Sequence, residues 1–482
     1  DGLVVGEGAG ILVLKRLQDA LDDGDEIHAT IAGIGLSNDI EGNLMLPHSE
    51  GQLRAMHAAY KQANWQAEDI DLIECHGTGT PVGDVVEFNS LQSLWGSKRN
   101  KNDCVIGSVK SNIGHLLTAA GSAGLIKVLM AMKHETLPPT ANFESASNGI
   151  DMADSPFSVL NQPRSWARRD ASTPRRAAIS AFGFGGINAH VLLQEWQGEK
   201  SVIPAKITTA TSPLKKPDIA IVGMDSSFGP WQNLDSFRQR VLGGMEEFSP
   251  TAYANNWGVA STVKGYCLDK IEIPLRRFRI PPNELKEMLP QQLLMLLVAS
   301  NAIADAKLSA DESAVFSDAG VYIGIGLDPS TTNFHLRWGL KVKARQWARQ
   351  LGLQLDETEL ESWVRELRDA FGPAMNANRT MGALGGIVAS RIARAFNVGG
   401  PSFTLSSEES SGLRSLEAGV RALQRNEIST AIVGAVDIAS DIRSLGKAQG
   451  AGSNLNDTLK SDGAAAVILK RHEDALADGD QI

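Results

Sequence analysis

Short runs of branched apolar residues recur along this chain, each closing in a glycine-rich or polar turn that opens into a stretch with helical spacing. Val105-Ile106-Gly107-Ser108-Val109 predicts a buried strand. The turn Lys110-Ser111-Asn112 hands it to a small, apolar, buried helix from Leu116 to Met132. Ile27–Leu36 and Asp71–Cys75 read as two further strands, and Ile11–Leu14 as a short one followed by a helix over Lys15–Leu21. Gln52–Gln62 predicts a helix, with Leu53, Met56, Ala59 and Tyr60 at helical spacing. Residues 196–216 are rich in Lys, Thr, Ser and Pro and have no periodicity, which marks a linker. Beyond it Ile219–Gly223, Gly320–Gly326 and Ser402–Leu405 predict strands, and Leu289–Ala306, Arg379–Phe396 and Gly412–Leu423 predict helices. Arg337–Phe371 is a charged helical stretch. Strands alternating with helices imply an α/β fold.

Composition narrows the class. Apolar residues make up 43% and charged residues 21% of 482, the balance of a globular protein of more than one domain. The net charge of −10 disfavours nucleic acid and acidic membrane surfaces as partners. No apolar run approaches the ~20 residues that span a bilayer, and the start Asp1-Gly2-Leu3 carries no leader pattern. Cys75, Cys104 and Cys267 are too widely spaced for a disulfide framework or a metal site, so a reducing, cytoplasmic location and no bound metal are expected. Val5-Gly6-Glu7-Gly8-Ala9-Gly10 is not read as a dinucleotide loop, because an apolar strand rather than a helix follows it.

Candidate chemistry sits where strands end. Lys110 and His115 lie at a strand-to-helix turn, the edge where open α/β sheets bind ligands. Lys there can supply a fixed charge and His can act near neutral pH; a solvated Lys and a capping His fit these residues equally well. Asp71–Cys75 runs into His76-Gly77-Thr78-Gly79-Thr80-Pro81, whose threonines offer hydroxyls on one side of a turn, and Asp84 and Glu87 open the next helix, where carboxylates suit its dipole. Phe182-Gly183-Phe184-Gly185-Gly186-Ile187-Asn188 is a glycine-rich backbone carrying bulky aromatics, either a gate over a pocket or a packed bend.

The tail of the chain repeats its head. Ser461–Arg471 matches Gly6–Arg16, and Glu473–Ile482 matches Gln18–Ile27, with Lys470 falling 455 residues after Lys15. A period this long indicates tandem copies of a whole domain.

Taken together, the His76 block with Asp84 and Glu87, Lys110-Ser-Asn-Ile-Gly-His115, and Phe182–Asn188 resemble, in order and spacing, three signature blocks of the β-ketoacyl synthases. Residues 1–195 resemble the C-terminal half of such an enzyme and residues 217–482 the N-terminal half of a second copy, joined by the linker 196–216. The resemblance implies a thiolase-like α/β fold of five layers, αβαβα, here as two incomplete tandem copies. It also implies decarboxylative condensation between a malonyl group on an acyl carrier protein and an acyl thioester. Phosphopantetheine would arrive on the carrier and nothing would be bound directly. Within that family His76 and His115 match the catalytic histidines and Lys110 the buried lysine, here paired with Glu87. Thr78 and Thr80 match the phosphopantetheine channel, Phe184 the gating aromatic, and Asn188 the asparagine that supports it.

The second copy departs from the pattern. Where the family carries its nucleophilic Cys, this chain has Ser406-Ser407-Glu408-Glu409-Ser410-Ser411, with Glu409 at the Cys position. A carboxylate there cannot carry an acyl thioester. Residues 217–482 therefore look like a chain length factor, the non-condensing partner in a ketosynthase pseudo-dimer, as in polyunsaturated fatty acid and related polyketide synthases. The nucleophile of the first copy is expected roughly 46 residues ahead of Asp1, by the repeat offset. Cys75 is expected to point into the core. Two rivals stand beside this reading: a scaffold or malonyl decarboxylase without condensation, and a thiolase-type enzyme using CoA, which the HGTGT and KSNIGH blocks disfavour.

Overall fold

A computed structural model describes residues 2–41, 44–95, 104–153, 155–198, 216–243, 251–252, 264–274, 277–278, 280–308, 316–326, 330–439 and 460–482. The chain falls into two compact units: Asp1–Lys216 with Asn397–Pro401, and Pro217–Phe396 with Ser402–Ile482. The expected linker lies outside the described residues apart from 196–198 and 216.

Each unit is built on a mixed sheet. In the first, the order is Ala29–Asn38, Ile187–Glu195, Arg176–Gly183, Leu72–Glu74, Cys104–Gly107, with Phe157–Ser158 at the edge. In the second, the central order is Ile219–Phe228, Lys460–Arg471, Thr430–Ile438, Ala319–Ile325, Ser402–Leu405. Both read 1-5-4-2-3 when these five strands are numbered along their own segment, and both pair antiparallel, antiparallel, parallel, parallel in that order. The two units share one topology.

Strand periodicity explains the two-sided packing of the first unit. Ile73, Ile106, Ala178 and Leu192 join Met56, Tyr60, Phe88, Leu91 and Trp95 of the helices Ser49–Ala63 and Pro81–Trp95. Their neighbours Leu72, Val105, Ala177, Ile179 and Leu193 face the other way, against Val128, Ala131 and Met132 of the helix Ala120–Lys133. A period of two sends successive side chains to opposite faces, so each short strand seeds two cores.

Several expectations need correction. Ile11–Leu14 forms no strand, and Ile11, Val13 and Leu14 are 87%, 91% and 72% exposed. The repeated sequence Lys460–Arg471 does form one, because Ile219–Phe228 and Thr430–Ile438 flank it on both sides. A strand without neighbours leaves its backbone groups unsatisfied. Leu116–Met132 is not buried throughout: a 3-10 turn Leu117–Ala119 leads into the helix, and Leu117, Ile126 and Met130 are exposed. Only the stripe facing the sheet is covered. Arg379–Phe396 is two helices, Ala377–Ala383 and Ile387–Ala395. The break at Leu384-Gly385-Gly386 frees carbonyls that the buried Gln292 amide satisfies, donating to Met381, Gly382 and Leu384 O at 3.0–3.1 Å. Arg337–Phe371 spans two helices, Ser330–Gln350 and Glu357–Phe371, packed through Ala344, Leu360 and Val364 and tied by Lys341–Glu361 and Arg345–Glu357 ion pairs.

Candidate active site

The first unit gathers its chemistry at the carboxyl ends of its parallel strands. Leu72–Glu74 delivers His76, and Cys104–Gly107 delivers Lys110 and His115. The two imidazoles meet edge to face with ring centroids 5.5 Å apart, and Phe182 lies 5.7 Å from His76. The Lys-Ser-Asn turn is a single helical turn, Lys110–Ile113, closed by Gly114 at φ +75°. A Cβ on Gly114 would stand 3.0 Å from Val4 O, and a left-handed φ favours Gly independently.

Both histidines are held neutral. Burial pushes His76 down to about 3, with the Lys110 charge and His115 adding to it. Burial, then Lys110, lowers His115 as well. Leu117, itself at φ +50°, donates its N–H to His115 Nδ1 at 3.0 Å, which places the imidazole proton on Nε2. A neutral imidazole with a free Nε2–H is a hydrogen-bond donor suited to an oxygen that gathers negative charge.

Glu87 does not pair with Lys110. Its Oε1 accepts the His76 N–H at 2.7 Å and its Oε2 the Gly77 N–H at 2.8 Å, so it clamps the backbone of the first turn. Burial raises Glu87 to about 7 against those two bonds. Among the described residues the buried lysine–glutamate pair is Lys127–Glu74, at 2.7 Å. Lys110 is lowered by burial, with Glu74 and Glu87 opposing the shift.

A cavity of about 760 Å³ opens beside these turns. Polar Thr78, Lys110, Asn112 and His115 line it together with Cys75, Phe88, Leu91, Ile106 and Met152. Thr78 and Thr80 hydroxyls bond each other at 2.9 Å, and only Thr78 reaches the wall. Phe184 is 57% exposed and stands outside the cavity lining; Phe182 takes the place against His76. The end of the strand explains the exchange: Phe182 lies within Arg176–Gly183 and faces the core, whereas Phe184 falls in the turn just beyond it. Asn188 is buried and donates Nδ2 to Asp39 Oδ1 at 2.8 Å. Asp39 and Glu74 escaped sequence reading, although each is a carboxylate at the end of an apolar strand, an unusual place for a charge.

In the second unit the turn after Ser402–Leu405 is the topological counterpart of the Lys110 turn. Glu408 there has φ +48°, Ser411 Oγ accepts the Ser407 N–H at 2.8 Å, and the exposed Glu409 stands ahead of the helix Ser411–Gln424.

Residues 28–144 match the β-ketoacyl synthase C-terminal domain, and residues 216–475, more than half the chain, match the β-ketoacyl synthase N-terminal domain. The chain belongs to the β-ketoacyl synthase family. All of it aligns at 30% identity with a polyunsaturated fatty acid synthase polypeptide of Thraustochytrium sp., and spans 24% of that protein. A further alignment covers 44% of the chain at 41% identity with a phenolphthiocerol/phthiocerol polyketide synthase polypeptide of Mycobacterium tuberculosis, 11% of that protein. The solved PfaC keto synthase–chain length factor superposes over 95% of the chain and 50% of its own length, at 31% identity and a TM-score of 0.79. The thiolase-like α/β fold of the ketosynthases is thereby established, and the chain spans a quarter or less of the curated relatives it matches. In this ketosynthase chain the C-terminal-domain segment precedes the N-terminal-domain segment. No helix among the described residues is long and apolar enough to cross a membrane.

Proposed function

We propose that the protein carrying this chain elongates acyl chains by decarboxylative Claisen condensation on an acyl carrier protein. Residues 1–195 would supply the histidine half of the condensing site, 196–216 the linker, and 217–482 the front half of a chain-length-factor partner. The pair of neutral imidazoles 5.5 Å apart at the strand ends carries this reading. The malonyl C–COO⁻ bond breaks to release CO2, and its electron pair forms an enolate whose oxygen accepts from His76 and from His115 Nε2–H. The enolate carbon then attacks the acyl thioester carbonyl; a cysteine thiolate leaves as the new carbon–carbon bond forms. Burial, aided by the Lys110 charge, holds both imidazoles neutral, and Thr78 with Thr80 offers hydroxyls to the carrier's phosphopantetheine. Phe184, on the glycine loop supported by Asn188, is the candidate gate.

Glu409 supports the non-condensing role of the second unit, because a carboxylate in that turn cannot hold a thioester. Cysteines that form no disulfide among the described residues suit a reducing, cytoplasmic setting. In the full-length protein, His76→Ala and His115→Ala should each lower malonyl decarboxylation and condensation on a carrier protein by about 10²–10³-fold, the worth of one oxyanion donor, with the protein folded. Near-normal turnover in either variant overturns the assignment. Carbon dioxide release without an elongated product supports the decarboxylase alternative, and neither reaction in the wild-type protein supports a scaffold.

A further inference from the structure

Two buried carboxylates hold the two histidine turns, and they do so differently. Glu87 grips the His76 turn alone. Glu74 reaches both: it is the last residue of Leu72–Glu74, two positions before His76, and its Oε1 accepts the Val109 N–H at 2.6 Å. Val109 starts the helical turn Lys110–Ile113 that ends at Gly114 and His115. That turn is internally stiff: Asn112 N–H donates to Val109 O at 2.9 Å, Gly114 N–H to Lys110 O at 2.9 Å, and Ser111 Oγ to Ser108 O at 2.8 Å. Displacing Val109 therefore displaces His115.

The other oxygen of Glu74 is occupied from behind. Oε2 accepts from Lys127 Nζ at 2.7 Å, with side chains 3% and 12% exposed. Gly124, one helical turn before Lys127, clears the way, since a Cβ there would stand 2.9 Å from Glu74 Cγ. The carboxylate is thus fixed at both ends, by a helix on one side and by the start of the second turn on the other.

We propose that Glu74, fixed by Lys127, is a positioning residue that sets the separation of His76 and His115. The proposal rests on reading those histidines as the reacting pair. Glu74 touches neither imidazole; it acts through the Val109 N–H and through its own place in the strand.

The test compares four substitutions in the full-length protein, read by steady-state kinetics with malonyl carrier protein and by imidazole nitrogen NMR. Glu74→Asp keeps the charge but shortens the reach by about 1.5 Å, so it cannot span Val109 and Lys127 together. It should lower kcat by about 10–100-fold, the effect of an ångström-scale misplacement, with KM little changed. E74M/K127M removes the buried charges and the acceptor for Val109, and should stay as slow as Glu74→Met. E74Q/K127M keeps an oxygen for the Val109 N–H without leaving a buried unpaired charge, and should recover most of kcat. The His76 and His115 resonances should move in the slow variants and return in E74Q/K127M. Equal kcat in the two double variants, or resonances that do not move in Glu74→Asp, overturns the positioning role. If His76→Ala and His115→Ala turn over normally while the Glu74 variants still shift both resonances, the catalytic reading fails and the coupling of the turns stands.

Discussion

Asn188 Nδ2 donates to Asp39 Oδ1 at 2.8 Å, and Asp39 Oδ2 accepts the His48 N–H at 3.1 Å. The Asp39 N–H in turn donates to Gly186 O at 2.8 Å, and a Cβ on Gly186 would stand 2.8 Å from Asp39 Cβ. One buried carboxylate at the end of Ala29–Asn38 thus anchors the glycine loop that carries Phe184, and the close approach requires glycine at 186.

Asp39 gives this anchor a pH dependence. Burial raises its carboxyl to about 6, against the bonds from Asn188 and His48. A group whose folded pKa is raised favours the fold most at low pH, and that contribution is lost as pH rises from about 4 to about 6. The slope is at most about 1.4 kcal/mol per pH unit. Asp39→Asn keeps an acceptor for Asn188 and removes the titration. Thermal melts across pH 4–8 should therefore show the variant gaining on the wild type as pH rises; parallel curves would contradict it.

Burial, and after it the Lys110 charge, lowers His76 and His115, the two imidazoles proposed to react. Lys110→Met should raise the titration midpoints of His76 and His115, followed by imidazole NMR, and move the acid limb of the pH–rate profile to higher pH. Unmoved midpoints would assign Lys110 a structural role only.

His190 titrates in the opposite sense to Asp39. It is fully buried, stacked 5.7 Å from Tyr60 and bonded to Ser180 at 3.1 Å, and burial lowers it to about 3. A depressed pKa contributes stability that is present above the unfolded value of about 6.5 and lost as pH falls toward 3. His190→Gln should flatten the acid side of the stability profile, measured by denaturant midpoints between pH 4 and 7, while lowering stability at pH 7 through imperfect packing.

Glu409 should take no acyl group. After incubation with an acyl carrier thioester, peptide mass spectrometry should find no adduct within residues 217–482; an acylated peptide containing Glu409 would reverse the non-condensing assignment.

Much of the site was legible because its residues follow strands directly: His76, Lys110 and His115 fall at strand ends wherever the sheet places those strands. Their partners were not legible. Glu87 was expected beside Lys110 and instead clamps His76 and Gly77, while Lys127, a plain helical residue by pattern, reaches back 53 positions to Glu74. Spacing along a chain fixes neighbours within a turn but not which of several buried charges meet across elements.

The repeat separates these two kinds of information within one molecule. In both copies the sequence alone builds the same local unit: helices Leu17–Asp22 and His472–Asp478, with Lys15 gripping Asp23 and Asp25, and Lys470 gripping Asp478 and Asp480. A helix satisfies its backbone within itself, and these ion pairs span at most ten residues. The preceding segment is a twelve-residue strand in the second copy and no strand in the first, from a similar small-and-apolar run ending in the same Leu-Lys-Arg. A strand draws its hydrogen bonds from other strands, so only the presence of Ile219–Phe228 and Thr430–Ile438 in the tertiary structure decides that it forms.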